Sequence, residues 1–306
     1  MPGDNGVMST PILHHFGIPS TALLGKGSES QVYALDQARV LRIYPAGASL
    51  AALQARQSFY TQLAARHPPF VIPTVLSHGV IDEHPYTIEQ RMHGHDFARV
   101  LPQLTGRDRA RALTSYLGLA TQIGTIEFPD APFGEIIVPG TLQRDTWPDF
   151  LWDRAQQTLQ RSRRDVEHDV PQLDRLLREF HTRLLSMATL QTKSLVHGDY
   201  FPGNVFIDDT LTIYGVGDFG YSTVVGDPRM DVAGAIVFLE VVEGYQRADT
   251  QLLLRSVQEG SEPVSADIIE LYRLYYSLYF SHCKHDDPTT YAWCIQNLRS
   301  WRNRLA

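Results

Sequence analysis

The run His197-Gly198-Asp199-Tyr200-Phe201-Pro202-Gly203-Asn204, followed closely by Gly217-Asp218-Phe219-Gly220, constrains this chain more than any other feature. Between the two motifs lie two short strand-like runs, Val205 to Ile207 and Leu211 to Val216, which can fold back on each other and bring three oxygen-bearing side chains together. Transfer of a phosphoryl group to a hydroxyl needs that kind of set. One carboxylate orients and deprotonates the acceptor, and hard oxygen ligands hold magnesium against the phosphate. Asp199 fits the first role, Asn204 and Asp218 the second. The plain alternative is a Gly- and Asp-rich turn between a helix and a strand.

The chain has 306 residues, 43% of them hydrophobic and 20% charged, which is enough to bury a substantial core and to form two domains. Its formal net charge of -7 excludes a partner bound through a nucleic-acid backbone, which needs clustered Lys and Arg. No basic run followed by an apolar segment opens the chain, and eighteen consecutive apolar residues occur nowhere. The expectation is a soluble, cytoplasmic protein with no membrane partner. Cys283 and Cys294 are too few for a disulfide framework and are expected as reduced thiols. Oligomeric state is left open.

Turn signals and hydrophobic period divide the chain into a strand-rich part, 1–92, and a helical part, 93–306. Strands are expected at Thr21 to Leu24, Gln31 to Leu35, Arg39 to Tyr44, Thr74 to Val80 and Tyr86 to Met92. A helix from Ser49 to Arg66 interrupts them, with Leu50, Leu53, Gln57, Tyr60 and Ala64 on one face, and His67-Pro68-Pro69 stops it. Beyond Gly94, helices are expected over Asp108 to Ile126, over Pro148 to Ser162, and after Asp169-Val170-Pro171 with Leu173, Leu176, Leu177, Phe180 and Leu184 buried. Tyr272, Tyr275, Tyr276 and Tyr279 read as core residues with hydroxyls in water.

A second motif, Gly25-Lys26-Gly27-Ser28-Glu29-Ser30-Gln31-Val32, fits G-x-G-x-x-G-x-V with Ser30 in the third glycine position. It lies between two strands and does not open a helix, which rejects a dinucleotide-binding turn, and no Walker-type G-x-x-x-x-G-K-[ST] is present. A hairpin covering nucleotide phosphates fits better, with Gly25, Gly27, Ser28, Ser30 and Val32 as its contacts. Val40-Leu41-Arg42-Ile43 then stands where a protein kinase has V-A-I-K, with Arg42 in place of the phosphate-binding lysine.

Together with Glu89-Gln90-Arg91-Met92 and Gly226-Asp227-Pro228-Arg229-Met230-Asp231, these motifs resemble the aminoglycoside phosphotransferase and choline-kinase-like superfamily over approximately residues 15 to 300. The resemblance implies a protein-kinase-like α+β fold, with a small β-rich N-lobe that has one main helix, a larger, mostly helical C-lobe, and nucleotide between them. It also implies a kinase that moves the γ-phosphate of ATP or GTP, with Mg2+, to a small-molecule hydroxyl. By the same resemblance Glu89, Gln90, Arg91 and Met92 offer backbone groups to adenine, Val40 and Arg42 line the nucleotide site, and His197 and Asp231 support the catalytic loop.

Two departures stand out. No Asp or Glu lies between Asp36 and Asp82, so the helix from Ser49 to Arg66 lacks the carboxylate that usually pairs with the phosphate-binding cation. The expectation is an Arg42 held loosely until nucleotide arrives, or hydrogen-bonded by Gln54 or Gln57. Ser30 replaces a glycine and leaves a hydroxyl near the phosphates. Gly198 stands where protein kinases carry the Arg of H-R-D, and barely a dozen residues separate Asp218 from Asp231. Both argue against activation by loop phosphorylation and for a small acceptor.

Glu240 and Glu243, or Asp149 and Asp153, are acidic pairs for a cationic acceptor, with solvated helix faces as the plainer reading. The spacing of His282, Cys283, His285 and Cys294 fits no common zinc pattern. An antibiotic-modifying kinase is the leading reading. A choline, homoserine or sugar kinase and a nucleotide-binding pseudokinase scaffold are the alternatives, the last favoured by the missing acidic partner of Arg42.

Overall fold

The computed structural model describes residues 10–27, 30–138, 140–190, 192–260 and 263–301. The chain divides into two compact units, Met1–His93 and Gly94–Ala306.

The first unit is built on a five-stranded antiparallel sheet of β1 (Leu23–Lys26), β2 (Gln31–Ala34), β3 (Arg39–Ile43), β4 (Val75–Ile81) and β5 (His84–Gln90), in the order β1-β2-β3-β5-β4. Asp82 and Glu83, both at positive φ (47° and 64°), close the hairpin between β4 and β5. Helix α2 (Leu50–Ala64) is capped by Ser49, whose hydroxyl accepts from the Ala52 amide, and it buries Leu53, Phe59, Tyr60 and Leu63. A short helix the sequence reading did not foresee, α1 (Thr10–Phe16), supplies Ile12 and Leu13, which pack with Ile18 against Tyr33, Leu41 and Ile43. With Ile12, Leu13 and Phe16 as its only large apolar residues, seven residues are too short a signal for a period of 3.6.

The second unit is mostly helical. Its helices are α3 (Phe97–Val100), α4 (Gly106–Ile123), α5 (Trp147–Asp169), α6 (Leu173–Leu185), α7 (Arg229–Val237), α8 (Arg247–Glu259), α9 (Ala266–Tyr279) and α10 (Pro288–Ser300). Short antiparallel ladders carry the loops between them. One orders β11 (Ile213–Val216), β10 (Val205–Ile207) and β6 (His95–Asp96); the other orders β8 (Gln143–Arg144), β7 (Phe133–Glu135), β12 (Val224–Gly226) and β9 (Ser194–Val196).

The apolar stripe expected for α6 is buried in full. Helix α5 runs to Asp169, past the expected Ser162, because Val166 continues its buried face while Arg163 and Glu167 pair on the outside at 2.6 Å. Five strands, β6, β7, β8, β9 and β12, escaped the sequence reading because two or three residues give too short a run to show a period of two.

The tyrosines of α9 are a partial correction. Tyr272, Tyr275 and Tyr276 are buried, but the hydroxyls of Tyr272 and Tyr276 bond to protein and not to water. Among the described residues no helix is long and apolar enough to cross a membrane.

Candidate active site

The candidate catalytic loop leaves β9, the buried strand at the end of its sheet, and passes a buried carboxylate. Gly198 takes a positive φ of 76°, and a Cβ there would collide with the Ser222 carbonyl oxygen, so glycine is required on two counts. Asp231, in the first turn of α7, accepts the amides of His197 at 2.6 Å and Gly198 at 2.9 Å, one on each carboxylate oxygen. Burial pushes its carboxyl up to about 7 against the pull of those two N–H groups, and the nearby charge of Asp199 adds to the rise.

His197 is equally enclosed. Its Nε2 donates to the Gly217 carbonyl at 2.8 Å, and Nδ1 accepts the Asp199 amide at 3.3 Å. Those partners select one neutral tautomer, and burial pushes the imidazole below its ordinary value. Tyr200 and Tyr116 of α4 stack 4.9 Å apart and exchange hydroxyl-to-carbonyl bonds of 2.7 and 2.8 Å, fixing the loop to α4. Tyr116 was not among the residues expected on the buried face of α4. Its role is invisible in sequence because its partner lies 84 positions away.

The three candidate residues lie at one end of the β10–β11 hairpin. The Asn204 amide nitrogen donates to the Asp199 carbonyl at 2.9 Å and to the Asp199 carboxylate at 3.3 Å. The Asn204 carbonyl accepts the Gly217 amide at 2.8 Å, which extends the Val205–Val216 pairing by one step, and Asp218 follows directly on Gly217. Asp218 is exposed and has φ of 59°, a left-handed conformation rare for a residue other than glycine and concentrated at functional sites. With its nitrogen engaged at Asp199, the Asn204 carboxamide has its oxygen left to meet a cation, and Asp218 supplies a carboxylate at the same hairpin end. This all-oxygen donor set suits magnesium.

Helix α9 supports the loop from behind. Tyr272 donates to Asp227 at 2.5 Å and accepts from the Trp147 indole at 3.0 Å, while Asp227 holds Arg229 through bonds of 2.7 to 3.0 Å. Tyr276 donates to the Met230 carbonyl at 3.0 Å. The Gly226 to Asp231 motif is thus anchored by aromatic hydroxyls that no local pattern connects to it.

In the first unit Arg42 does not behave as expected. Its Nε donates to the Glu89 carboxylate at 3.2 Å and its Nη1 to the Ser30 hydroxyl at 3.1 Å, so the guanidinium is held before any nucleotide arrives. The acid comes from the sheet. Strand register sets Arg42 opposite Thr87, and Glu89 lies two residues on along the same face, a diagonal neighbour within reach of long side chains. Thr87 donates to Glu89 at 2.7 Å. Gln54 and Gln57 turn to His78, at 3.4 and 2.9 Å.

Val32 pairs with Arg42 and Gly25 in the sheet, Val40 is buried, and Gly27 bonds the Ser30 carbonyl across the β1–β2 turn at 2.9 Å. Ser28 lies outside the described residues. The amides of Gln90 and Arg91 are taken by the carbonyls of Thr74 and Ala38, both at 2.8 Å, so of the segment from Glu89 to Met92 only Met92 continues with an amide outside these bonds.

The acidic pairs considered for a cationic acceptor are largely engaged. Glu240 accepts from Arg273 at 2.6 Å and from Trp293 at 2.9 Å; Asp153 holds Arg144 at 2.6 Å; Asp149 accepts from Thr146 at 2.6 Å. Among the described residues no group of three or more His, Cys, Asp or Glu is placed to hold a metal.

Solved structures share this fold. The streptomycin–ATP ternary complex of APH(2")-IIa is 17% identical over 97% of each chain, with a TM-score of 0.64. APH(3'')-Id of Streptomyces rimosus, in complex with ADP and streptomycin, is 15% identical over 95% of this chain and 97% of that one, with a TM-score of 0.60. Macrolide 2'-phosphotransferase type I is 18% identical over 90% of this chain and 89% of that one, at 0.55. No curated protein matches by sequence. The architecture is the kinase-like α+β fold of these neighbours, a small antiparallel-sheet lobe and a larger helical lobe. Residues 20–260 match the Phosphotransferase enzyme family (APH), and the chain belongs to it.

Proposed function

We infer that this phosphotransferase moves the γ-phosphoryl group of ATP or GTP to a hydroxyl of a small molecule, with aminoglycosides as the acceptor class to test first. The observation that carries the reading is the meeting of Asp199 and Asn204 at 3.3 Å beside the hairpin end that bears Asp218. In the proposed step Asp199 orients the acceptor hydroxyl and takes its proton. The acceptor oxygen bonds to the γ-phosphorus as the bond to the β–γ bridging oxygen breaks, leaving a nucleoside diphosphate. Asn204 and Asp218 are the residues that would hold magnesium, which when bound neutralises charge on the phosphates. Arg42, with the turn from Gly25 to Ser30, would hold the phosphates, and the Met92 amide is the backbone donor for adenine.

The residues 1–92 are thus proposed as the phosphate-binding lobe and 93–306 as the catalytic and acceptor-binding lobe, working in the cytoplasm. Support for the acceptor class comes from solved neighbours bound to streptomycin, gentamicin and kanamycin and from a macrolide phosphotransferase. The scaffold reading loses its one support, because Glu89 supplies the carboxylate whose absence had favoured it. The test is transfer of labelled γ-phosphate from ATP and GTP, with magnesium, to a panel of aminoglycosides, macrolides, amino alcohols and sugars. Labelled aminoglycoside is the expected product; no magnesium-dependent consumption of either nucleotide with any acceptor overturns the reading.

A further inference from the structure

Arg154 on α5 is buried, yet its guanidinium is directed mainly at backbone. Nη2 donates to the Tyr221 carbonyl and, at 3.1 Å, to the Tyr279 hydroxyl, and Nη1 reaches the Ser222 carbonyl at 3.4 Å. Its carboxylate neighbour Glu135 stands 3.5 Å away, and the rings of Phe150 and Tyr279 lie 5.4 and 4.6 Å from the guanidinium carbon. A buried cation set on two successive carbonyls fixes that backbone, since burying a guanidinium is costly unless its donors are satisfied.

The two carbonyls belong to the segment that follows Asp218-Phe219-Gly220. The Tyr221 ring is 55% exposed, so no apolar burial of that side chain holds the segment down. What does hold it is polar. The Ser222 hydroxyl meets Tyr279 at 3.2 Å, and Thr223 accepts the Gly220 amide at 3.0 Å and donates to the His197 carbonyl at 3.3 Å. The Ser222 carbonyl fills the space beside Gly198 that a side chain would need. In a protein kinase the arginine of H-R-D docks a phosphorylated loop and so orders this region. Here that position is Gly198, and a guanidinium reaches the loop from α5.

We propose that Arg154 is a positioning residue that holds the Tyr221–Ser222 backbone, and through it Asp218 and the Asp199 loop, in the working arrangement without phosphorylation. The role of Asp218 in this inference rests on the phosphotransfer reading above. The experiment compares the full-length wild type with Arg154→Met and Arg154→Lys by amide hydrogen exchange without nucleotide, and by magnesium-dependent turnover of ATP. Loss of the charge-assisted bonds in Arg154→Met should speed exchange across residues 219–223 by about tenfold or more, while α4 and α6 keep their rates. Turnover should fall by about tenfold and the magnesium needed for half-maximal rate should rise, with KM for ATP within about twofold; Arg154→Lys should recover part of each.

Folded variants that exchange 219–223 at the wild-type rate, or that loosen the whole second unit evenly, overturn the inference. If Arg154→Met does not fold, Arg154→Lys decides. A wild type that consumes no ATP overturns the kinase reading instead, and leaves the exchange result to judge Arg154.

Discussion

The proposed phosphate clamp of the first unit and the proposed catalytic loop of the second fix their key groups by opposite means. Arg42 is held through side chains, a carboxylate at 3.2 Å and a hydroxyl at 3.1 Å, and its partner Glu89 could have come from any element that strand register brings alongside. Asp199 is held through backbone, by a positive-φ glycine, two amides on the buried Asp231, and a histidine whose ring is bonded on both sides. Side-chain clamps tolerate relocation of a partner. Backbone frames dictate residue identity, because no other side chain fits the conformation or the space.

The largest effect expected from breaking this comparison is chemical. Asp199→Asn should lower kcat by about 10² to 10⁴ and leave nucleotide affinity unchanged, which steady-state kinetics with a nucleotide-binding measurement would check. Normal turnover would remove Asp199 from the mechanism.

Next comes the frame itself. Gly198→Ala meets both a strained φ and the Ser222 carbonyl and should destabilise by on the order of 3 kcal/mol, whereas Gly47→Ala in the first unit, at φ 78° with nothing within 4 Å, should cost on the order of 1 kcal/mol. Urea unfolding of the two variants separates strain from collision; equal losses would mean that the close packing beside Gly198 contributes nothing.

A smaller change is expected at the clamp. Glu89→Gln keeps an acceptor for Thr87 but removes the charge facing Arg42, and should raise KM for nucleotide about three- to tenfold with kcat nearly constant. A fall in kcat without a change in KM would show that Glu89 serves something other than phosphate binding.

The smallest effect concerns pH. His197 is held neutral in the fold below its ordinary value of 6.5, so the unfolded chain binds the extra proton as pH drops. The stability that His197 contributes is therefore complete above about pH 6.5 and declines below it, by at most about 1.4 kcal/mol per pH unit. The stability difference between the wild type and His197→Asn should shrink in parallel. A difference that stays constant from pH 7 to 5 would mean that His197 titrates alike in both states. Asp231, raised to about 7, works in the other direction: its neutral form favours the fold, and its contribution falls as pH rises from about 4 through about 7.

The catalytic motif was legible because its chemistry and its backbone conformation require particular residues at fixed offsets along a short stretch. The structure brings His197, Gly198, Asp199, Asn204 and Asp231 into one bonded frame, and Asp218 follows Gly217 at its hairpin end. Long periodic helices were legible too, and the whole stripe of α6 was found on its buried face. The supporting roles of Tyr116, Arg154, Tyr272 and Tyr276 were not, because the partners that give them those roles lie 45 to 125 positions away and a buried tyrosine or arginine has no local pattern that names its partner. Glu89 was seen but assigned to adenine alone, since which residue faces Arg42 depends on how β3 and β5 slide against each other.

By itself, then, the sequence determined the proposed reacting groups and most of the long elements around them, for these depend on residue type, offset and hydrophobic period. Tertiary structure alone decided what holds those groups still, for that depends on strand register and helix packing, which bring together residues with no relation along the chain.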